Sequence, residues 1–562
     1  MKLLYNARIH TLNEAQPMAS TLAVDGERIL AVGETEKLFR EFDRAGRQDM
    51  GGKIILPGLT DAHLHLQEYA LLVQKVDCET DSKEECLHRV AERLPKLRPG
   101  EWLLGHGWNQ NLWQDVLPHP NPSPKACPAC PGGQARERSR RVGRGAEGEG
   151  GWPSSADLDA ISAEIPIYLT AKSMHAGWAN SAALRLAGIN AATPDPLNGQ
   201  IQHDRRGQPT GILLEEAMKL IEAVIPKPGV DEIAEAIRQV QPALWRMGLT
   251  SVHDFDKRPC FMALQQLHGC GELRLRVTKS IPIEDLPLAV GLGLRSGFGD
   301  DTLQIGSVKA FADGALGPRT AAMFDPYVDE PENRGILILD GEALFEYGRL
   351  AAESGLSLAV HAIGDRANHE VLNGFAQLRA YEHEQGLPSL RHRVEHVQVL
   401  HPDDAGRLSE LGLIASMQPA HAPSDMYMAD RYWGGRAALA YAWRTQLQHG
   451  ARLAFGSDAP VEVPNPFLGL HAAVTRRRVE GTPGPEGWYG EQRLTLQEAL
   501  EGFTLGPAYA AGVEDRFGQL AAGYTADLIV LEDDPFLCDL DNLHSLRPVA
   551  TMIGGEWVWQ EG

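Results

Sequence analysis

A chain of 562 residues exceeds what one hydrophobic core normally organises, so a large domain with a satellite, or two to three domains, is expected. Hydrophobic residues at 43% and charged residues at 23% are ordinary for a globular protein, and a net charge of −22 disfavours non-specific binding to nucleic acid or to an anionic membrane. The start, MKLLYNARIHTLNEA, turns polar too early for a signal peptide, no apolar run approaches bilayer length, and seven scattered cysteines outline no disulfide framework, so a cytoplasmic protein is expected.

In chain order, TLAVDGERILAVG reads as a β-hairpin, with alternating apolar residues on either side of Asp25-Gly26. KIILPGLTDAHLHL follows as a strand, and it places His63 and His65 two residues apart, hence on one face. Such a pair suits a metal ion, although a half-buried strand whose histidines find ordinary hydrogen bonds is the bland alternative.

The next strand, LTSVHDF (249–255), comes too far on for a simple βα loop. The interval, taken as 67–245, reads as a subdomain inserted over the barrel mouth and carries EWLLGHGWNQNLW, IPIYLTAKSMHAGWANSAAL and GILLEEAMKL. Within it, 120–151 is rich in Pro, Gly and Arg, which predicts a disordered or loosely held loop. Its Cys127 and Cys130 lack the second pair a structural zinc site needs, and Arg136, Arg138, Arg140, Arg141 and Arg144 read as a solvated cluster.

Six further strand-like segments follow: LRLRVTKSI (273–281), LQIGSVKAFADG (303–314), LSLAVHAIGD (356–365), RHRVEHVQVL (391–400), LIASMQP (413–419) and ARLAFGSDAP (451–460). Helix-like stretches such as GEALFEYGRLAAESG separate most of them. Eight strands alternating with helices predict an α/β chain folded as a (β/α)8 TIM-like barrel. GQLAAGYTADLIVLEDDP and ATMIGGEWVWQ, turning at Gly554-Gly555, are strand-like again. The expected domains are therefore a small composite β-sandwich from both termini (1–57 and 505–562), a barrel over 58–504, and the large insertion after barrel strand 1.

Barrel chemistry sits where the strands end. Those ends carry His63 and His65, Lys309, His361, His396 and Asp458. Taken singly, the histidines could be core residues and Asp458 a cap. Together, four imidazoles and a carboxylate suit zinc or a similar divalent ion. Lys309 stands in an apolar strand, where burial lowers an amine's pKa and leaves a nucleophile able to take up carbon dioxide. The carbamate so formed is an anionic ligand able to bridge two metals; the alternative is an ammonium paired with Asp313.

This HLH…K…H…H…D order resembles the amidohydrolase superfamily of metal-dependent, urease-type hydrolases. GWNQNLW, LTAKSMHAGWANSAAL, VKAFADGALGPRTAAM, VHAIGDRAN, RVEHVQ and GSDAPVEVPNPF are similar to its amidohydrolase-3, YtcJ-like branch, which includes N-substituted formamide deformylase. The segment 120–151 departs from that pattern. The resemblance implies a binuclear centre, with His63, His65 and Asp458 on one zinc, His361 and His396 on the other, and carbamylated Lys309 between them. It implies hydrolysis of a non-peptide carbon–nitrogen bond, as in an N-acyl or N-substituted formamide, with Asp458 as base and then acid. A deaminase or lactonase on the same metals, and a non-catalytic scaffold or regulator, stand as alternatives.

The expected partner is a small-molecule substrate, with neither nucleic acid nor membrane, and self-association is left open. Candidate substrate contacts are Asp313, Arg319 and Thr320 after the Lys309 strand, and His175, Trp178 and Asn180 in the insertion. Arg319 suits a substrate carboxylate or a loop salt bridge. Trp108 and Trp113 offer an apolar wall or core packing, and Glu215 a pocket carboxylate or a helix-start charge.

Overall fold

The computed structural model describes residues 1–97, 100–110, 112–113, 152–173 and 175–561. They form two compact units, one of Met1–Ala70 with Gly229–Gly562 and one of Leu71–Pro228. The arginine-rich segment with its CPAC pair lies outside the described residues. Among the described residues no helix is long and apolar enough to cross a membrane.

The first unit is built on a barrel of eight strands: β1 (Leu59–Leu64), β2 (Leu249–Asp254), β3 (Arg276–Pro282), β4 (Leu303–Phe311), β5 (Leu358–Ala362), β6 (Arg393–His396), β7 (Ile414–Met417) and β8 (Arg452–Phe455). They pair in that order as one parallel sheet. Buried side chains run almost without a break along β1, β5, β6 and β7, as strands covered on both faces require. Helices between the strands cover the outside. Gly341–Glu353, for example, starts at Asp340, whose side chain accepts from the Ala343 amide at 2.9 Å, and buries Leu344, Gly348, Ala351 and Ala352 at helical spacing.

At their C-terminal ends β1 and β8 meet. The Asp458 amide donates to the His63 carbonyl at 2.7 Å and the His65 amide donates to the Ala459 carbonyl at 2.8 Å. Gly456 makes this approach possible, since a Cβ there would lie 2.4 Å from the His63 backbone nitrogen. The contact that joins the sheet's two ends thus also seats Asp458 beside the HLH strand.

Both termini feed a second sheet of eight strands in the same unit. Its N-terminal share includes Lys2–His10, Met18–Asp25, Arg28–Gly33 and Ile54–Pro57, and Leu528–Leu531 pairs antiparallel with Ile54–Pro57. Gly554 and Gly555, with φ of +56° and +75°, make the two-residue hairpin that ends it. The helix Leu505–Ala511 packs on β1 and β8, so the C-terminal arm of this sheet starts after it.

The second unit has its own six-stranded sheet and core. Trp108, Trp113 and Trp178 pack there with Leu103, Leu158 and Ile167.

Candidate metal centre

Four histidines converge at the C-terminal end of the barrel, and each has one ring nitrogen tied to an acceptor. His63, fully buried, gives Nδ1 to Glu395 Oε2 at 2.6 Å. His65 gives Nδ1 to Asp256 Oδ1 at 3.2 Å. His361 gives Nε2 to the Gly314 carbonyl at 2.9 Å, and His396 gives Nδ1 to Gln418 Oε1 at 2.8 Å. A neutral imidazole donates at one nitrogen only, so the other is left as a lone-pair donor. Metal-binding histidines are held in this way.

Three of these histidines offer donor atoms close to Asp458, and the His361 ring packs beside that of His396. His63 Nε2 and His65 Nε2 lie 3.5 and 3.6 Å from Asp458 Oδ1. Ring centroids of His396 lie 4.9 Å from His63 and 4.6 Å from His361. Burial pushes the His361 pKa down to about 4 and those of His63 and His396 well below the usual value, which keeps the rings neutral. One donor atom each from His63, His65 and Asp458 lies within 4.8 Å of the others, and imidazole nitrogen with carboxylate oxygen is a donor set that fits a divalent ion.

Backbone geometry aims two of these groups. His396 and Val397, with φ of +73° and +45°, turn the chain sharply at the end of β6, and Asp458 has φ of +59° after β8. Such conformations cost on the order of 1–3 kcal/mol each outside glycine and persist where the surroundings impose them.

Lys309 is buried on β4, with Nζ 3.4 Å from His63 Nε2 and over the rings of Phe255 and Phe311 at 4.6 and 5.0 Å. Burial lowers its pKa to about 8. Among the described residues no carboxylate lies within ion-pair distance of it. The pairing with Asp313 is replaced by another arrangement: Asp313 accepts from the amides of Ile363, Gly364 and Ala322 at 3.0, 2.8 and 2.9 Å. That carboxylate holds the β4 and β5 loops together and lies 3.5 Å from His361 Nε2.

One family model, that of the amidohydrolase family, matches residues 48–116 and 141–559. The chain belongs to that family. It is accordingly an enzyme of the hydrolase class. A Bacillus subtilis protein named as an amidohydrolase, YtcJ, is 31% identical over 98% of this chain and 98% of its own. The N-substituted formamide deformylase of Arthrobacter pascens is 27% identical over 98% of this chain and 97% of its own. Among solved structures, an uncharacterized metal-dependent hydrolase from Pyrococcus furiosus superposes with a TM-score of 0.74 at 29% identity, covering 95% of this chain and 99% of that one.

The remaining candidates of this amidohydrolase have partners of their own. Arg319 is committed to Glu330 and Asp329 and stacks on Tyr432 at 4.6 Å, so it is the loop salt bridge and not a free carboxylate grip. Thr320 Oγ1 accepts from the Ala315 amide at 3.0 Å. Trp108 and Trp178 are corrected to core residues of the second unit: both are fully buried, and their indole N–H groups donate to the carbonyls of Leu169 and Ser154 at 2.9 and 2.8 Å. Trp113 is equally buried. Asn180 caps the helix Ser181–Leu186. His175 is exposed and pairs with Glu215 at 2.9 Å on the surface of that unit.

Sequence reasoning missed Glu395, Asp256, Gln418 and His421. Glu395 had a signal: Arg393 and Glu395 are two apart on a strand buried on both faces, so both charges point inward and must pair. They do, at 2.5 Å, and Arg393 also reaches Ser416 Oγ at 2.6 Å and the Ala62 carbonyl at 2.7 Å. Burial, which favours protonation of Glu395, is outweighed by Arg393 and Lys309, and its pKa is lowered. His63 therefore rests on an anion.

Proposed function

We propose that this hydrolase cleaves a non-peptide carbon–nitrogen bond in an amide of the N-acyl or N-substituted formamide class, at a zinc centre held by His63, His65, His361, His396 and Asp458 with Lys309. The observation that carries the reading is that His63, His65 and His396, each tied at one ring nitrogen, each offer a donor atom within 4.8 Å of one from Asp458. A bound divalent ion supplies Lewis acidity there, polarising a carbonyl and lowering the pKa of water to about 7 in zinc sites.

The protein's own groups do the rest. Burial raises the Asp458 pKa, so its carboxylate is suited to hold a proton taken from water and return it to the amide nitrogen. The hydroxide oxygen adds to the carbonyl carbon, and the carbon–nitrogen bond then breaks as the protonated nitrogen leaves as an amine, with a carboxylic acid as the other product. Glu395, Asp256, the Gly314 carbonyl and Gln418 fix the four rings so that no reorientation is needed at that moment. Lys309, with its lowered pKa, has a share of neutral amine near neutrality. Its Nζ adds to carbon dioxide, forming a nitrogen–carbon bond and losing a proton. The resulting carbamate would replace a buried ammonium with an anionic oxygen ligand, which would serve the metal ions there.

The deformylase among the relatives supports the substrate class. The test is a panel of N-formyl, N-acyl and ureido compounds offered to the zinc-loaded protein with amine release as readout. Release from the amides supports the reading. Turnover confined to a purine or a lactone, or no turnover of any member, contradicts it.

A further inference from the structure

His421 begins the helix that follows β7, His421–Trp433, and belongs to none of the sequence motifs at the strand ends. It is 5% exposed, and its Nε2 is buried with no hydrogen-bond partner. A buried polar atom left in this state costs about 1–3 kcal/mol, and nearly all such atoms in folded proteins are satisfied. The ring lies parallel to that of His396 with centroids 6.3 Å apart. One donor atom each from His396, His421 and Asp458 lies within 4.8 Å of the other two.

The same turn supports both histidines. The His421 amide donates to the Gln418 carbonyl at 3.1 Å, while the Gln418 side chain holds His396 Nδ1 and leaves Nε2 as its donor. Asp425, held by Tyr441 Oη at 2.5 Å, and Glu462, held by Ser424 Oγ at 2.6 Å, are carboxyl groups near His421, and burial raises the pKa of both. Neither has a Lys or Arg partner within ion-pair distance among the described residues. An orphaned imidazole nitrogen, a second imidazole and a carboxylate within ligand spacing form a cation position.

We propose that His421, with His396 and Asp458, forms a second divalent-cation position next to the one built by His63, His65 and Asp458. The two share Asp458, whose carboxylate has an oxygen for each. This rests on the metal-dependent reading above and adds a ligand from the β7 helix to it.

The test titrates cobalt(II) into the chelator-stripped full-length protein, reading bound equivalents by calorimetry and the visible absorption of the ion. His421→Asn and His421→Gln are expected to lose one bound equivalent, or to weaken one by at least tenfold, with a reduced visible band and an unchanged far-ultraviolet circular dichroism spectrum. Either folded variant matching the parent in equivalents, affinity and spectrum overturns the proposal while leaving the metal-dependent reading intact. A parent protein that binds no cobalt overturns both.

Discussion

The Glu395 carboxylate lies 2.6 Å from the His63 imidazole, with both side chains fully buried inside the barrel. Arg393 secures the far side of the same carboxylate. His63 on β1 is thus oriented by the Arg393–Glu395 ion pair on β6, a strand that does not pair with β1, and the centre depends on a group that need not touch a metal.

Glu395→Gln keeps the shape of the side chain but removes the anion. Metal affinity is expected to fall about 10–100-fold, the usual effect of losing such a supporting partner. Competition against a chelator of known affinity measures it, and an unchanged affinity rules the orienting role out. Glu395→Ala, which strands the buried Arg393 charge, should cost on the order of 3–5 kcal/mol in a denaturant titration.

Lys309→Ala should lower metal occupancy, and bicarbonate supplied during expression should raise occupancy in the parent but not in the variant. Metal counted per chain after gel filtration decides this. Two ions per chain in the variant would refute the bridging role.

Trp178→Ala tests the assignment of that tryptophan to the second unit's core. Loss of a fully buried indole is expected to cost about 3–5 kcal/mol, read as a shift in the denaturation midpoint of that unit. A variant as stable as the parent contradicts the core assignment.

Acid sensitivity should include a contribution from Glu498, which the Arg444 guanidinium, at 2.6 Å, holds down to a pKa of about 2. The folded value lies below the unfolded one, near 4.5, so the stabilisation is complete above about pH 4.5 and is lost as pH falls towards 2. Glu498→Gln should flatten that part of the stability–pH curve, and the partly exposed pair should make the effect small and weaker in high salt. A variant with the parent's slope between those values excludes the contribution.

The barrel was legible because its strands are buried on both faces, so their apolar runs stand out; seven observed strands fall within the expected segments, and the third, Arg276–Pro282, runs one residue past its own. The strand-end histidines were legible for the same reason: His63 and His65, or Lys309, are conspicuous in otherwise apolar stretches. The fixing partners were not. Asp256 sits beyond β2 and Gln418 beyond β7, and the pairing of β1 with β2 and of β6 with β7, distant in sequence or separated by a helix, brings them to His65 and His396. His421 lies on a helix, where a single histidine carries no spacing signal. Trp108 and Trp178 misled because an aromatic residue serves equally to line a pocket or fill a core, and the choice depends on which face of the second unit's sheet is covered.

The central claim is that the lone pairs left on the barrel histidines hold a metal against Asp458. A crystal structure of the zinc-loaded protein, with anomalous difference maps recorded on both sides of the zinc edge, tests it most directly. The account predicts a zinc peak about 2.0–2.2 Å from His63 Nε2, His65 Nε2 and an Asp458 oxygen. A map with zinc only at surface residues, or with these three side chains turned away from the peak, would contradict it.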